Sequence, residues 1–259
     1  MSFAGKAVLV TGSTTGIGEA CARLFAESGA KVMVSGRRGV AGHAVVEAIR
    51  AAGGDAQFAA ADLRAAGACE RLVGDTVERL GGLDILVNNA GILYTANALD
   101  TSDEQWLDTM AVNVTALFYL SRAAVKHMKA AGGGAIVNVA SEWGLNGEAN
   151  HVAYCASKGA VVQITRCMAL DHARDHIRVN SVCPGEIHTR MVDDILAKRG
   201  GNMADQLREL AAGIPLRRLA HPIEVARCVH FLASDLASYV TGTNLSVDGG
   251  NDATAGPYP

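Results

Sequence analysis

Tyr154 and Lys158 stand four residues apart, so on a helix both side chains project from one face. A phenol ionises near pH 10 and is a poor base at neutral pH, whereas an ammonium one turn away favours the phenolate. Such a pair can pass a proton to or from a carbinol oxygen. The spacing alone is common on helix surfaces. It gains weight from Ser141, which ends the apolar run Ile136-Val137-Asn138-Val139-Ala140 and brings a hydroxyl to a strand terminus upstream of the pair.

A second group of residues suits a phosphate. The apolar run Ala7–Thr11 leads into Gly12-Ser13-Thr14-Thr15-Gly16-Ile17-Gly18, and a helical pattern follows. Glycines let the backbone turn sharply against a pyrophosphate, and the helix N-terminus supplies unpaired N–H groups and partial positive charge. The spacing is G-x-x-x-G-x-G, and a strand before with a helix after is the context in which such a turn predicts a dinucleotide site. In an NAD site a carboxylate about twenty residues on would hold the ribose 2′-hydroxyl. Here that place reads Val34-Ser35-Gly36-Arg37-Arg38, without a carboxylate. A guanidinium forks onto a 2′-phosphate that an Asp would repel, so NADP(H) is favoured over NAD(H). Stacking of Arg37 on adenine, or a solvated charge leading a helix, are the alternatives that this stretch leaves open.

These residues must be positioned by the elements around them. Strands are expected at Ala7–Thr11, Lys31–Ser35, Ala56–Ala60, Ile85–Asn88, Ala135–Ala140, Arg178–Val182 and Asn244–Val247, apolar nearly throughout, as in strands covered on both faces. Helices are expected at Gly18–Ser28, Val40–Ala52, Ala68–Leu80, Ser102–Ala131, Ala149–His172, Met191–Leu196, near Met203–Ala211, and at Pro222–Ala233, with Asn150 a candidate cap for the helix that carries Tyr154. Alternating strands and helices require parallel pairing through right-handed crossovers, hence a single α/β domain over 1–259 with a doubly wound (Rossmann) parallel sheet of about seven strands and helices on both faces. The stretch from about 191 to 219 is the least regular. It would lie at the carboxyl edge of the sheet, where ligands bind, as a lid over the substrate.

Composition removes several function classes. Hydrophobic residues at 49% and charged residues at 19% exclude a disordered or fibrous chain. With 23 basic and 26 acidic residues and no long run of one sign, a nucleic-acid grip is not indicated. No apolar run approaches the roughly 18 residues that span a bilayer, and Met-Ser-Phe-Ala-Gly-Lys at the start lacks a basic flank and apolar signal core. The six cysteines have no clip or redox spacing, which suits a reducing compartment and a cytoplasmic protein; Cys155 reads as a small apolar filler. No metal site is expected, because His127, His172, His176, His221 and His230 share no ligand spacing.

Taken in order along the chain, the motifs resemble the short-chain dehydrogenases/reductases in their common form of about 250 residues. They are Thr11-Gly12-x-x-x-Gly16-x-Gly18, Asp62-Leu63, Asn88-Asn89-Ala90-Gly91, Asn113, Ser141, Tyr154-x-x-x-Lys158, Asn180, Pro184-Gly185-x-Ile187-x-Thr189, Val240-Thr241-Gly242 and Asp248-Gly249-Gly250. The resemblance implies that Tyr154 is the acid/base and that Ser141 holds the substrate oxygen. It implies that Lys158 binds the nicotinamide ribose and lowers the Tyr154 pKa, and that Asn113 anchors a water leading toward Lys158. Asp62, with Leu63 beside it, would meet the adenine amino group; Asn89, Ala90 and Gly91 would pack along the cofactor. Pro184, Gly185, Ile187 and Thr189 would hold the carboxamide end, with Ser13, Thr14, Thr15 and Ile17 completing the glycine turn. The family uses no metal for its chemistry, and its members pair as dimers or tetramers through helices such as those holding Asn113–Leu120 and Tyr154. The tail 251–259 would reach a neighbouring subunit or fray.

The departures bear on substrate. Glu142, Trp143, Glu148, His151, Glu186 and His188 make the pocket stretches unusually polar, able to hydrogen-bond the extra hydroxyls of a sugar, polyol or hydroxy acid. Oxidoreduction of a secondary alcohol and a ketone on such a small polar substrate is the leading expectation. Reduction of 3-oxoacyl groups on acyl carrier protein is the alternative, for which Lys126 suits docking but Leu170 stands where the resemblance leads one to expect an arginine. A nucleotide-binding sensor without turnover is the third, weakened by the intact set of Asn113, Ser141, Tyr154 and Lys158.

Overall fold

The structure, a computed structural model, describes residues 1–253. Seven strands form one sheet in the order β3-β2-β1-β4-β5-β6-β7, and every neighbouring pair is parallel. The strands are β1 (Ala7–Val10), β2 (Lys31–Gly36), β3 (Asp55–Ala60), β4 (Ile85–Asn88), β5 (Gly134–Val139), β6 (Ile177–Pro184) and β7 (Asn244–Val247). The helices are α1 (Gly16–Glu27), α2 (Gly39–Ala51), α3 (Ala66–Leu80), α4 (Asp103–Met110), α5 (Ala116–Ala130), α6 (Val152–His172), α7 (Arg190–Arg199), α8 (Met203–Gly213) and α9 (Pro222–Ala233). This is the expected doubly wound fold.

Alternate side chains of each strand feed two cores. Val8, Val10, Val32 and Val34 pack with Phe25 of α1 and with Val225 and Leu232 of α9. Leu9, Met33, Leu86 and Ile136 face the other way, onto Leu72 of α3 and Leu120 and Met128 of α5. The expectation of strands covered on both faces holds for β1, β4 and β5 but not for the two edge strands. In β3 only Ala56 and Ala59 are buried, and all four residues of β7 are only half-buried. An edge strand lacks one neighbour and one flanking helix, so its sequence need not be apolar throughout.

The run Ser102–Ala131 is helical as expected, from Asp103 to Ala130, with a π turn at Ala111–Thr115 between α4 and α5. Asn150 does not cap α6; it takes a left-handed conformation (φ 61°), and its carbonyl accepts from Ala96 N at 2.7 Å. The stretch after Met191 holds helices where they were expected, at Met191–Leu196 and near Met203–Ala211. It forms α7 and α8, divided by Gly200 and Gly201 at φ 72° and 92°, with Asn202 Oδ1 capping α8 at 2.9 and 3.2 Å.

Arg178 on β6 illustrates how the sheet holds its helices. Its guanidinium donates to the carbonyls of Leu232, Ala233 and Ser234 at 2.6, 3.1 and 3.0 Å, meeting the open C-terminal end of α9 with a cation. Arg178→Ala is expected to cost about 2–3 kcal/mol, since charge-assisted bonds to half-buried carbonyls are lost. Denaturant unfolding checks this: the midpoint should fall with the slope unchanged.

Candidate active site

The chain order of the sheet reverses between β1 and β4, and the crevice at that switch point is where the glycine turn sits. Gly12 and Gly16 both have φ 62°, a conformation that L side chains rarely adopt. A Cβ on Gly12 would come within 2.8 Å of Ala90 Cα, so the turn and the Asn89–Gly91 segment approach more closely than any side chain allows. The result is a cleft of about 540 Å³ running from Arg37 to Thr189. Its walls include Gly12, Thr14, Thr15, Gly16 and Ile17 on the turn, Asp62, Leu63, Asn89, Ala90 and Gly91 beside it, and Pro184, Gly185, Ile187 and Thr189 on the far rim.

Two expected turn residues do not line this cleft. Ser13 is fully buried; its hydroxyl donates to Val10 O at 2.6 Å and accepts from Ser35 N at 2.9 Å, stitching β1 to β2. Gly18 is packed inward, where a Cβ would lie 2.4 Å from Asn89 Nδ2 and 2.5 Å from Gly12 O. Asn89 contacts the cleft, but its amide is committed to the turn, donating to Thr11 O at 2.9 Å and Gly12 O at 3.1 Å. Gly18→Ala is therefore expected to push the turn out of place. A loss of about 1–3 kcal/mol from overpacking, read as a lower melting temperature, should come with a tenfold or greater loss of dinucleotide affinity.

At the adenosine end Arg37 and Arg38 are exposed at the mouth of the cleft. Arg64, two residues beyond Asp62, was not foreseen. It donates to Asp62 at 3.0 Å and forks onto Asp108 at 2.6 and 3.2 Å, while Tyr94 Oη donates to Asp108 at 2.9 Å. Hydrogen bonds from Arg64 hold the Asp108 carboxyl below its usual range. Asp62 thus meets the cleft already paired to a guanidinium, and Arg64 is not free to seek a phosphate.

At the other end of the cleft Ser141, Tyr154 and Lys158 come together on its floor. β5 delivers Ser141, and α6 presents Tyr154 and Lys158 on its buried face with Val161, Thr165 and Met168. Lys158 is buried and donates to Val139 O at 2.7 Å; its Nζ is 5.5 Å from the Tyr154 ring centre. Burial brings the Lys158 ammonium down to about 8. Burial raises the Tyr154 phenol, and its hydrogen bond with Ser141 pulls the other way. The lowering by Lys158 that the four-residue spacing predicts is not found: the phenol is raised overall, only the Ser141 hydrogen bond opposes the rise, and the ammonium is directed at a backbone carbonyl.

Asn113 lies behind this floor rather than in it. It sits on the π turn, 2% exposed, with its amide donating to Ile92 O at 2.9 Å and Ser157 Oγ at 3.0 Å and accepting from Ile92 N at 2.8 Å. A Cβ on Gly91 would stand 3.5 Å from Asn113 Oδ1 and 3.6 Å from Lys158 Nζ, so the bare Gly91 keeps the approach to both open. Deeper still, Asn88 donates to Ser121 and Asn138, and Asn138 to Thr165, each at 2.9 Å, tying β4, β5, α5 and α6 together. The apolar reading of β5 passed over Asn138.

A second cavity of about 360 Å³ opens beside Tyr154, and it brings together five of the six expected substrate residues: Glu142, Trp143, Glu148, His151 and Glu186. Trp143 stacks on His151, with ring centres 4.6 Å apart, and meets Tyr154 edge-on at 5.9 Å. His151 is held by Ala149 O at 2.7 Å and Thr95 Oγ1 at 3.3 Å. His188 is the exception: its half-exposed ring lines neither cavity and lies 3.5 Å from Asp193. Val192 of α7 walls both cavities, and Asn251, expected as the start of a tail that reaches a neighbour or frays, instead closes the second beside Glu142.

A parallel sheet with a glycine-turn crevice at its switch point, leading to a buried Ser–Tyr–Lys group, defines a dinucleotide-binding oxidoreductase. Residues 12–252 match a family model described as "Enoyl-(Acyl carrier protein) reductase". The chain is 44% identical to an uncharacterized oxidoreductase of Thermotoga maritima over 98% of this chain and 100% of that one. It is 38% identical to the 2,5-dichloro-2,5-cyclohexadiene-1,4-diol dehydrogenase LinX of Sphingobium indicum, over 96% of each. Among solved structures it is similar to a candidate NAD(P)-dependent gluconate 5-dehydrogenase of Beutenbergia cavernae holding NADP at low occupancy (TM-score 0.91, 37% identity, 98% of this chain and 99% of that one). The chain belongs to the short-chain dehydrogenase/reductase family.

Proposed function

We propose that this protein interconverts a secondary alcohol and a ketone on a small polar substrate, using NADP(H) in preference to NAD(H). The observation that carries the reading is the convergence of Ser141, Tyr154 and Lys158 in the dinucleotide cleft, with the carboxylate-lined cavity adjoining through Val192 and through Trp143, which meets Tyr154 edge-on. The bare glycine turn and the open approach at Gly91 fit a nicotinamide dinucleotide. When bound, that group supplies the acceptor or donor of hydride. Tyr154 Oη gives or takes the proton at the substrate oxygen. Ser141 Oγ donates a hydrogen bond to the same oxygen as its charge changes. Lys158, anchored on Val139 O, faces the ribose side, and Asn113 positions the loop at Ile92 through both amide ends. Thr189 and Ile187 line the opposite wall, and α7 and α8 form the lid.

Arg37 supports NADP(H), and the NADP-bound relative is consistent with it. The diol named for the Sphingobium relative agrees with an alcohol as substrate. The carrier-protein reading is less well supported: Leu170 is 81% exposed on α6 and offers an acidic partner no charge. The exposed Trp106, Leu107 and Phe118 on α4 and α5, together with the half-buried edge strand β7, support self-association as a dimer or tetramer. The part of the tail read as reaching a neighbour lies, from 254 onward, outside the described residues. The six cysteines form no disulfide among the described residues, in keeping with a cytoplasmic setting, and no described helix is long and apolar enough to cross a membrane.

Incubation with NADP⁺ and a panel of polyols and cyclic diols tests the reaction, with reduced-nicotinamide absorbance as the readout. Turnover of at least one member is expected. Absence of turnover in both directions, with cofactor bound, would overturn it.

A further inference from the structure

We propose that the second cavity selects a neutral polyhydroxylated substrate, with the carboxylates of Glu142 and Glu186 accepting hydrogen bonds from two of its hydroxyls. This rests on the function proposed above and names the substrate class of the same site. Glu142 is only 6% exposed, yet it follows Ser141 directly and lines the cavity beside Tyr154. Its carboxylate accepts one hydrogen bond among the described residues, from Asn251 Nδ2 to Oε2 at 3.2 Å. Oε1 has no protein donor among the described residues. Glu186 follows Gly185, whose side of the crevice faces Glu142: a Cβ on Gly185 would stand 3.0 Å from Glu142 Oε2. Both acceptors therefore line one cavity, whose Trp143 wall meets Tyr154 edge-on at 5.9 Å.

Burial brings Glu142 up to about 7, helped by the charges of Glu186, Asp248 and Asp252 and opposed by Asn251; Glu186 is raised as well, chiefly by burial. A protein gains little in stability from two partly desolvated acids with only Arg199 to offset them, and such pairs cluster at functional sites. Hydroxyl donors relieve that cost, since O–H···O⁻ bonds are short and strong. A carboxylate-bearing substrate adds to it: the lining offers Glu142, Glu148 and Glu186 against the single guanidinium of Arg199. Trp143, resting on His151, supplies a flat apolar face for the C–H side of a sugar-like chain.

The C-terminal turn holds this arrangement in place. Asp252 is fixed by Ser246 Oγ at 2.9 Å and by Asn146, and its N–H donates to Asp248 at 2.7 Å, which sets Asn251 against Glu142. Asn251 is thus a positioning residue for the Glu142 carboxylate.

Binding, not turnover, is the test, so it stands apart from the redox reading. In a Trp106→Phe background Trp143 is the sole tryptophan, and its fluorescence reports occupancy of the cavity. The NADP⁺ complex would be titrated with xylitol, with xylonate, which replaces one CH₂OH by a carboxylate, and with cyclopentanol. Xylitol should bind at least tenfold tighter than either. Glu142→Gln and Glu186→Gln should each lose tenfold or more for xylitol, with melting temperature and NADPH affinity showing that the fold is kept. Loss of a carboxylate acceptor reads as weaker binding at this cavity alone, which general destabilisation would not produce. Xylonate or cyclopentanol binding as tightly as xylitol, an unchanged affinity in both variants, or no fluorescence response to any probe would overturn the proposal.

Discussion

Tyr154→Phe is expected to lower kcat/KM by about 10²–10⁴-fold, the range typical of a lost general acid–base, and to leave NADPH affinity within a few-fold. The asymmetry follows from where the hydroxyl points. The ring stays packed edge-on against Trp143 at 5.9 Å, and Lys158 keeps its bond to Val139 O, so the floor of the cleft survives the change. What disappears is the group proposed to exchange a proton with the substrate oxygen beside Ser141. The phenol is un-ionised at neutral pH, so the variant gives up only its hydrogen bond with Ser141, and its melting temperature should fall slightly at most. Steady-state kinetics beside a binding titration check the prediction. Residual activity above a few per cent would remove Tyr154 from its assigned role.

Arg37→Asp has the second-largest expected effect. Arg37 stands exposed at the cleft mouth and makes no hydrogen bond to the described residues, whereas Arg64 is committed to Asp62 and Asp108. On the proposed NADP(H) preference, a 2′-phosphate would meet Arg37 with Arg38 beside it. A charge-assisted bond of this kind contributes about 1.5–3 kcal/mol, or roughly one to two orders of magnitude in affinity. Replacing the cation by a carboxylate removes that contribution, repels the phosphate and supplies an acceptor for a free 2′-hydroxyl. NADPH affinity should fall at least tenfold while NADH affinity holds or improves. In the unaltered enzyme NADPH affinity should weaken with salt, because the contact is exposed. An unmoved preference would mean that Arg37 does not read the 2′-phosphate.

The sheet was legible because strand and helix periodicities alternate without interruption, and because the central strands are apolar on both sides. Where a strand lies at the edge, as β3 and β7 do, that signal weakens, and only the ladder shows the pairing. The π turn was not legible, since Ala111–Thr115 has the composition of ordinary helix and differs only in how its carbonyls are used. Among site residues, spacing correctly put Tyr154 and Lys158 on one face. It could not tell that Ser13 and Gly18 turn inward while Thr14 and Thr15 face the cleft, because that depends on which side of the turn β2 packs. Arg64 and Asn251 were missed for a shared reason: each acts by gripping a carboxylate distant in sequence, Asp108 and Glu142 respectively. His188 shows the converse, a titratable side chain in a suggestive motif whose backbone N–H bonds Ala220 O at 2.9 Å while its ring points away from both cavities.

The most direct test of a nicotinamide-dependent active site at the β1/β4 switch is a fluorescence titration of the purified protein with NADPH and with NADH. Saturable binding of NADPH, at least tenfold tighter than NADH and lost in Gly18→Ala, is expected. Binding of neither nucleotide would contradict it.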